Sequence, residues 1–281
     1  MDYILYILLF CIGATFGSFF TLAVYRIPIK QDITHTRSYC PKCNHKLTFL
    51  DMIPILSYVF LGGKCRYCKE KIRPRYLLLE LLSGITFVIF GLSIKLSLYT
   101  INYQILMYFC IGLLYLASLF IIAGIDKERI RIEKPVLLFG FICVTIYMIY
   151  LYVVENDASI YRYVIYLILS CLLLLFSIVY LKKKGKDSYP IDVLVLSMLM
   201  VLYTYETVYI YTVITTLLAV SIQLLLQHLN KRKVKFVKNI KIENSKVPIG
   251  FYMCTANIII LLVTNFIIFY GWCNEKNQSE L

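Results

Sequence analysis

Residues 118–126 read SLFIIAGID, and they close an uncharged apolar run that occupies residues 101–125. A run of about 20 apolar residues is long enough to cross the hydrocarbon core of a bilayer as an α-helix. The run stops at Asp126, so an acidic side chain lies where this helix would leave the membrane. An ionisable residue at such a boundary is costly to keep there, which makes it a candidate for function.

The rest of the chain repeats this pattern of apolar runs separated by short polar segments. Its 281 residues are 60% hydrophobic and 16% charged, which is more apolar surface than a soluble core of this size can bury. We therefore predict an all-α, polytopic membrane protein with about eight transmembrane helices and a small cytoplasmic zinc-binding loop. The predicted spans are residues 3–25, 76–94, 101–125, 135–154, 160–181, 191–204, 207–227 and 249–271.

Lysines and arginines concentrate in alternate connections between these runs. With eight alternating spans, all four basic connections fall on one side, and the positive-inside bias makes that side the cytoplasm. Both termini would then lie outside, and the net charge of +13 reflects membrane orientation rather than nucleic-acid binding. The sixth and seventh runs abut closely, so they form either a tight hairpin or one kinked unit. The basic connections are residues 26–75, 126–134, 182–190 and 228–248.

The connection between the first two runs contains the only cysteines that form a pattern. Cys40-Pro-Lys-Cys43 and Cys65-Arg-Tyr-Cys68 are two CxxC pairs separated by 21 residues. Four thiolates at this spacing are typical of a closed, tetrahedral zinc site, and a reducing cytoplasm argues against two disulfides. A catalytic zinc is disfavoured because four sulfurs leave no open position for water. The alternative is four thiols without a metal.

Two aspartates are predicted to lie at the same depth of the membrane. Asp126 ends the third span and Asp192 begins the sixth, both at the cytoplasmic side. Two carboxyl groups that share a site tend to hold one proton between them, and such a pair can activate water and protonate a scissile amide. The alternative is that both are ordinary helix-end residues. Asp192 suits the dipole of a helix start, whereas Asp126 at a helix end opposes it and needs another reason.

Stretches in order along nearly the whole chain carry a family resemblance. Residues 13–28, GATFGSFFTLAVYRIP, are similar to an opening helix that reads GSFxNVxIxRxP, and the CxxC pairs follow it. KIRPRYLLLELLSG at 71–84, IDKERIRIE at 125–133 and KVPIGFYM at 246–253 come next. Together they resemble the type IV prepilin leader peptidases, a family of membrane aspartic peptidases that are also N-methyltransferases. Asp126 matches the first catalytic aspartate of that family.

The second aspartate departs from the family pattern. The family carries it in a GxGD motif before an apolar helix, and here that place reads YPID, with Tyr189 and Ile191 at the glycine positions. Asp192 keeps its relation to the following helix, so we assign it to the pair, with Asp187 as the fallback. Loss of both glycines removes backbone freedom, which would change the rate or the substrate choice, or mark an inactive site.

The resemblance implies a reaction and its participants. It implies removal of the leader from a prepilin or pseudopilin at the cytoplasmic face of the bacterial inner membrane, with Asp126 and Asp192 as the catalytic pair. It also implies methylation of the new N-terminus by S-adenosylmethionine, with Glu80 as the candidate cofactor-binding residue. The alternative for Glu80 is an interfacial ion pair with Arg73 or Arg75. The partners would be pilin substrates and membrane lipid, and not nucleic acid.

The implied domain organisation divides the chain into three parts. Residues 1–25 are the first transmembrane helix, 26–75 the cytoplasmic zinc loop associated with methyl transfer, and 76–281 a membrane peptidase domain of about seven helices. Other functions are an inactive paralogue that binds pilin-like proteins, a zinc-dependent membrane regulator, or a transporter with a proton relay. A transporter would carry charges near the midplane and a two-half repeat, and the sequence shows neither.

Overall fold

A computed structural model gives the fold of this protein. The fallback aspartate, Asp187, lies outside the residues that the structure describes, as do parts of the basic connections 182–190 and 228–248. The described residues are 2–33, 35, 37–99, 102–154, 161–181, 188–235 and 247–279.

The predicted all-α class is confirmed. The described residues form helices joined by turns, and pairing between extended segments is limited there to two isolated bridges. Short 3-10 turns follow the first helix and cross the zinc loop, and a π-helical turn at Ser177–Leu181 continues the sixth helix. The helices are α1 (Asp2–Arg26), α2 (Leu56–Phe60), α3 (Arg75–Ser93), α4 (Tyr103–Arg129), α5 (Lys134–Val154), α6 (Tyr161–Phe176), α7 (Tyr189–Lys235) and α8 (Ile249–Ser279).

The helices agree with the predicted membrane spans. Within the described part of the chain, six are long and apolar enough to cross a membrane. Two shorter apolar segments, Tyr163–Val179 and Tyr189–Thr204, coincide with the fifth and sixth predicted spans. The six long segments are Asp2–Ile29, Arg75–Ser93, Tyr103–Arg129, Lys134–Val154, Val208–Gln227 and Ile249–Tyr270.

The sixth and seventh predicted spans form a single helix. Helix α7 runs without a break through 47 residues, so the tight hairpin does not form and the two runs make one unit; the kink within it stays a prediction. At about 1.5 Å per residue, this helix is about 70 Å long, more than twice the thickness of a bilayer core. Eight spans that alternate in direction across the membrane need a turn between the sixth and seventh runs. The sidedness of the basic connections therefore stays a prediction.

The chain divides into two compact units, Met1–Ile121 with Asn265–Leu281, and Ile122–Thr264. In the first unit, α1 packs closely on α3. A Cβ on Gly13 would lie 2.8 Å from the backbone of Gly84, and the Ser83 hydroxyl donates to the Gly13 carbonyl at 2.8 Å. Small residues at such contacts let two membrane helices approach each other. This packing holds together α1 and α3, the two helices that the zinc loop connects.

In the second unit, α5 and α6 pack on α7. The rings of Tyr147 and Tyr203 lie 5.8 Å apart, and the buried Asn257 amide donates to the Thr212 hydroxyl at 3.1 Å. Pairing of this kind satisfies polar groups that face no water. The division of the chain into functional domains stays a prediction, because compactness does not test function.

Candidate active site and metal centre

The four patterned cysteines meet in the first unit. The sulfurs of Cys40, Cys43, Cys65 and Cys68 all lie within 4.8 Å of one another, and those of Cys40 and Cys68 are 3.8 Å apart. Sulfurs at about 2.3 Å from one zinc ion in a tetrahedron lie about 3.8 Å from each other. The cluster therefore fits one zinc ion with four sulfur ligands and no position left for water.

Each CxxC pair is shaped by the same backbone turn. The N–H of Cys40 donates to the His45 carbonyl at 3.0 Å, and the N–H of Cys65 donates to the Glu70 carbonyl at 2.9 Å. One residue after each pair, Asn44 (φ 56°) and Lys69 (φ 59°) take left-handed conformations. This repeated turn places both sulfurs of a pair on one side. The site is thus specified by two short stretches of local sequence.

The environment of the Cys40 thiol favours metal binding. Burial would raise the pKa of the Cys40 thiol, but hydrogen bonds from the backbone of Cys43 and Lys42 bring it down to about 7. The thiolate is the form that binds zinc, so this cysteine is readily available as a ligand near neutral pH. For Cys68, a backbone hydrogen bond from Glu70 lowers the pKa, but burial and the neighbouring thiols outweigh it and raise the pKa to about 11.

Asp51 ties the apolar middle of the zinc loop to the second CxxC turn. Its carboxylate accepts hydrogen bonds from the Thr48 hydroxyl at 2.7 Å, Arg66 Nε at 2.6 Å and the Tyr67 hydroxyl at 3.2 Å. Burial alone would raise the pKa of Asp51, but the bonds from Thr48 and Arg66 bring it down to about 2. The carboxylate therefore stays ionised at all ordinary pH values and braces the turn that carries Cys65.

Glu80, the candidate cofactor residue, is buried and contacts the loop backbone. Its Oε2 accepts a hydrogen bond from the Ile55 N–H at 2.7 Å. The Ser18 side chain is a second hydrogen-bond partner, and the ion pairs found among the described residues include none of Glu80 with Arg73 or Arg75. Ile55 has φ 63° and ψ −56°, a conformation that a β-branched residue rarely adopts. Glu80 therefore holds the loop in an unfavourable turn.

Asp126 lies completely buried at the end of α4, in the second unit. Its Oδ2 accepts hydrogen bonds from the Phe251 N–H at 2.8 Å and from the Tyr189 hydroxyl at 3.1 Å. The Phe251 amide belongs to the first turn of α8, where backbone N–H groups lack helical partners and the helix dipole favours negative charge. The start of α8 thus supplies the reason for an acid at the unfavourable end of α4.

Asp192 is also buried and lies in the first turn of α7. The Ser177 hydroxyl donates to its Oδ1 at 2.8 Å, and the Ser188 hydroxyl donates to its Oδ2 at 2.7 Å. A hydroxyl can donate or accept, so these contacts suit either protonation state of the carboxyl. Two side-chain hydroxyls therefore hold the Asp192 carboxyl group in place.

The start of α7 carries one aspartate and contacts the other. Tyr189 contacts Asp126 through its hydroxyl and stands three residues before Asp192, on the same face of the helix. The end of α4 and the starts of α7 and α8 thus form one carboxyl cluster of Asp126, Tyr189, Gly250 and Phe251, and Asp192 lies one helical turn beyond Tyr189 on α7. Their catalytic roles stay predictions.

The sequence did not identify the side chains that hold these acids. In the sequence, Tyr189 stands out only as a departure from the family's glycine, and nothing there indicates a partner for its hydroxyl. Ser177 and Ser188 are ordinary residues at the edges of apolar runs, and Gly250 and Phe251 lie far along the chain. One feature of the sequence could have indicated these partners: residues 246–253 lead into a helix, and the N–H groups of a helix start bind carboxylates.

Comparison with known proteins supports the resemblance. Residues 11–94 match the family described as "Bacterial Peptidase A24 N-terminal domain". A "Prepilin leader peptidase/N-methyltransferase" of Vibrio cholerae serotype O1 is 42% identical over 89 residues, which are 29% of this chain and 35% of that protein. Proteins with the same name from Klebsiella pneumoniae and Bacillus subtilis (strain 168) are each 33% identical, over 126 and 132 residues. The predicted resemblance to prepilin leader peptidases is confirmed.

These matches cover only part of each chain. The Klebsiella pneumoniae match takes in 43% of this chain and 51% of the relative, and the Bacillus subtilis match 47% and 50%. This chain thus spans between about a third and a half of the three relatives. No solved structure matches the chain significantly.

Proposed function

We propose that this chain is a membrane aspartic endopeptidase that removes the leader from type IV prepilins or pseudopilins. The reaction takes place at the cytoplasmic face of the bacterial inner membrane, where lipid surrounds the apolar helices and nucleic acid has no part. The observation that supports the proposal is that Asp126 and Asp192 are both buried carboxyl groups, each held by hydrogen-bond donors. The names of the similar proteins support the substrate class.

The chemistry requires only the two carboxyl groups and one water. An ionised carboxylate removes a proton from the water as its oxygen bonds to the scissile carbonyl carbon. The second, protonated carboxyl gives its proton to the leaving nitrogen as the C–N bond breaks. The products are a leader with a new carboxyl group and a mature chain with a free amine. The Phe251 N–H and the Tyr189 hydroxyl both donate to Asp126 Oδ2, so any proton that the carboxyl group carries resides on Oδ1.

The zinc ion has a structural part in this proposal. Cys40, Cys43, Cys65 and Cys68 would hold it, and it would lock the two turns of the loop together. With four sulfur ligands it takes no substrate atom, so the reaction does not pass through it. The loop would instead shape the binding of the basic leader or of the methyl donor.

The methyl step is a second part of the proposal. A cavity of about 350 Å³ in the first unit is lined by Ser18, Arg37 and Pro54, among others. Ser18 also contacts Glu80, whose carboxyl group lies next to Pro54 through its bond to Ile55. S-adenosylmethionine carries a positive sulfonium and donates its methyl group to an amine. Glu80 would supply the matching negative charge, which is the reason for assigning it to the cofactor.

Co-expression with candidate prepilins tests the peptidase. We expect Asp126→Asn and Asp192→Asn each to lower leader removal at least about 100-fold, because each substitution removes a group that moves a proton. Glu128→Gln is the matched control, since it removes an exposed acid from the same end of α4 and the variant should cleave normally. Asp187→Asn tests the fallback assignment. Cleavage that survives in both Asp126→Asn and Asp192→Asn would end the proposal.

The same preparations test the methyl step. With Glu80→Gln, we expect cleaved pilin whose N-terminus lacks the mass of one methyl group, whereas the wild type carries it. A Glu80→Gln protein that still methylates fully would remove Glu80 from the cofactor site and leave the peptidase proposal intact.

A second candidate function is an inactive paralogue that binds pilin-like proteins. The observation that favours it is the phenol of Tyr189 on Asp126, at a position where the family carries glycine. Stable capture of an uncleaved prepilin by the wild-type protein, with no product, would support this function over the peptidase.

A further inference from the structure

The start of α7 places a phenol on one candidate catalytic acid. The Gly250 N–H donates to the phenol oxygen of Tyr189 at 3.3 Å, and the phenol donates to Asp126 Oδ2 at 3.1 Å. A tyrosine phenol is neutral at pH 7 and can accept one hydrogen bond while donating another. Tyr189 therefore forms a bridge from the backbone of α8 to the carboxyl group at the end of α4.

The bridge makes the two oxygens of Asp126 unequal. Oδ2 accepts from Tyr189 and also from the Phe251 N–H at 2.8 Å, and a backbone amide can only donate. Oδ1 is buried and has no hydrogen-bond partner among the residues that the structure describes. Two donors on one oxygen fix the carboxyl plane and leave the other oxygen as the place for a proton or a water.

The surroundings leave little freedom for a different arrangement. A Cβ on Gly250 would lie 3.0 Å from Asp126 Oδ2 and 3.3 Å from its Cγ, so the backbone of α8 lies directly against the carboxyl group. Lys127 Nζ lies 4.8 Å from the centre of the Phe251 ring, which adds a contact between the same two helix ends. Tyr189 joins this cluster from another helix, α7.

We infer that Tyr189 is a positioning residue for the proposed peptidase reaction: its hydroxyl fixes Asp126 so that Oδ1 is the oxygen that exchanges the proton. The inference rests on the proposed function. A glycine at this position could not make the bond, because it has no side chain. Compared with the glycine of the family pattern, Tyr189 restricts the backbone but adds a hydrogen-bond donor to the candidate catalytic acid.

The test removes the hydroxyl and keeps the ring. We expect Tyr189→Phe to lower kcat for leader removal about 10- to 100-fold and to leave KM within about twofold, because a hydrogen bond to a charged group is lost but the substrate site is not. Tyr211→Phe is the matched control. It makes the same chemical change on the same helix at a side chain that is 60% exposed, and it should cleave like the wild type.

A spectroscopic measurement tests the contact independently of activity. With isotope-labelled aspartate, infrared difference spectra of wild type and Asp126→Asn identify the carboxyl band of Asp126. We expect that band to shift in Tyr189→Phe and to stay in place in Tyr211→Phe. A shift in both or in neither would overturn the inference, and thermal unfolding would show whether Tyr189→Phe is folded.

The outcomes separate the inference from the proposed function. If the wild type cleaves, Asp126→Asn does not and Tyr189→Phe cleaves at the wild-type rate, the positioning role is wrong and the peptidase stands. If Tyr189→Phe or Tyr189→Gly cleaves faster than the wild type, Tyr189 obstructs the site and the inference is again wrong. If Asp126→Asn cleaves like the wild type, the proposed function itself fails.

Discussion

The four cysteine sulfurs come from two similar turns within one loop, whereas the contacts of Asp126 come from two other helices. Each CxxC turn is closed by hydrogen bonds between residues no more than five apart in sequence. The bond from Phe251 to Asp126, by contrast, joins residues 125 apart. The metal centre should therefore tolerate changes in helix packing, and the carboxyl cluster should respond to any shift of the ends of α4, α7 or α8.

The largest expected effect comes from substitutions that disrupt the metal centre alone. Cys40→Ser with Cys65→Ser removes one ligand from each turn, and we expect zinc affinity to fall by at least about 100-fold. Metal content of the purified protein measures this loss. Cys11→Ser, an exposed cysteine outside the pattern, is the control and should retain its zinc. Full zinc retention by the double variant would show that the cluster does not bind the metal.

The next largest effect comes from a substitution that disturbs the carboxyl cluster alone. Gly250→Ala adds a Cβ that lies 3.0 Å from Asp126 Oδ2, and overpacking of this kind costs about 1–3 kcal/mol. We expect leader removal to slow about tenfold or more while zinc content stays unchanged. Gly91→Ala is the control, because its nearest contact is the flexible end of Leu9. Equal cleavage by the two variants would contradict the close packing at Asp126.

A smaller effect tests the brace of the metal centre. Asp51→Asn removes the charge that faces Arg66, and we expect about 1 kcal/mol of lost support, or about fivefold weaker zinc binding. Competition with a chelator measures the affinity. Thr48→Val is a graded control, because it removes only one of the donors to the same carboxylate.

The pH dependence of that effect follows from the lowered pKa of Asp51. Its contribution is fully present above its ordinary pKa of 3.8 and is lost only as the pH falls through about 2. The ratio of zinc affinities between wild type and Asp51→Asn should therefore stay constant from pH 7 to about pH 5. A ratio that collapses in this range would show that Asp51 is not held ionised by Thr48 and Arg66.

The smallest effect concerns the contact between Lys127 and the Phe251 ring. Exposed contacts of this kind contribute about 0.5–1 kcal/mol, so we expect Lys127→Gln to slow cleavage only about two- to fivefold. Arg129→Gln removes a charge from the same helix end and is the control. An equal loss in both variants would indicate a general effect of charge rather than this contact.

The parts of the structure that local sequence specifies were predictable. The metal centre follows from two CxxC pairs, and Asp126 and Asp192 were identified because an acid at the end of an apolar run is unusual. The partners of these acids were not predictable, since Phe251 and Ser177 contribute through tertiary packing. Composition also could not distinguish a hairpin from the single helix α7, because both are built from the same apolar residues.

The unusual backbone of Ile55 gives the loop a property of its own. A non-glycine residue in such a conformation costs about 1–3 kcal/mol, which the bond to Glu80 offsets. A ligand that attracts the Glu80 carboxylate would thereby release the peptide group and let this turn relax. Capture of a positively charged cofactor and a change of loop shape would then be one event, and Ile55→Gly would uncouple them.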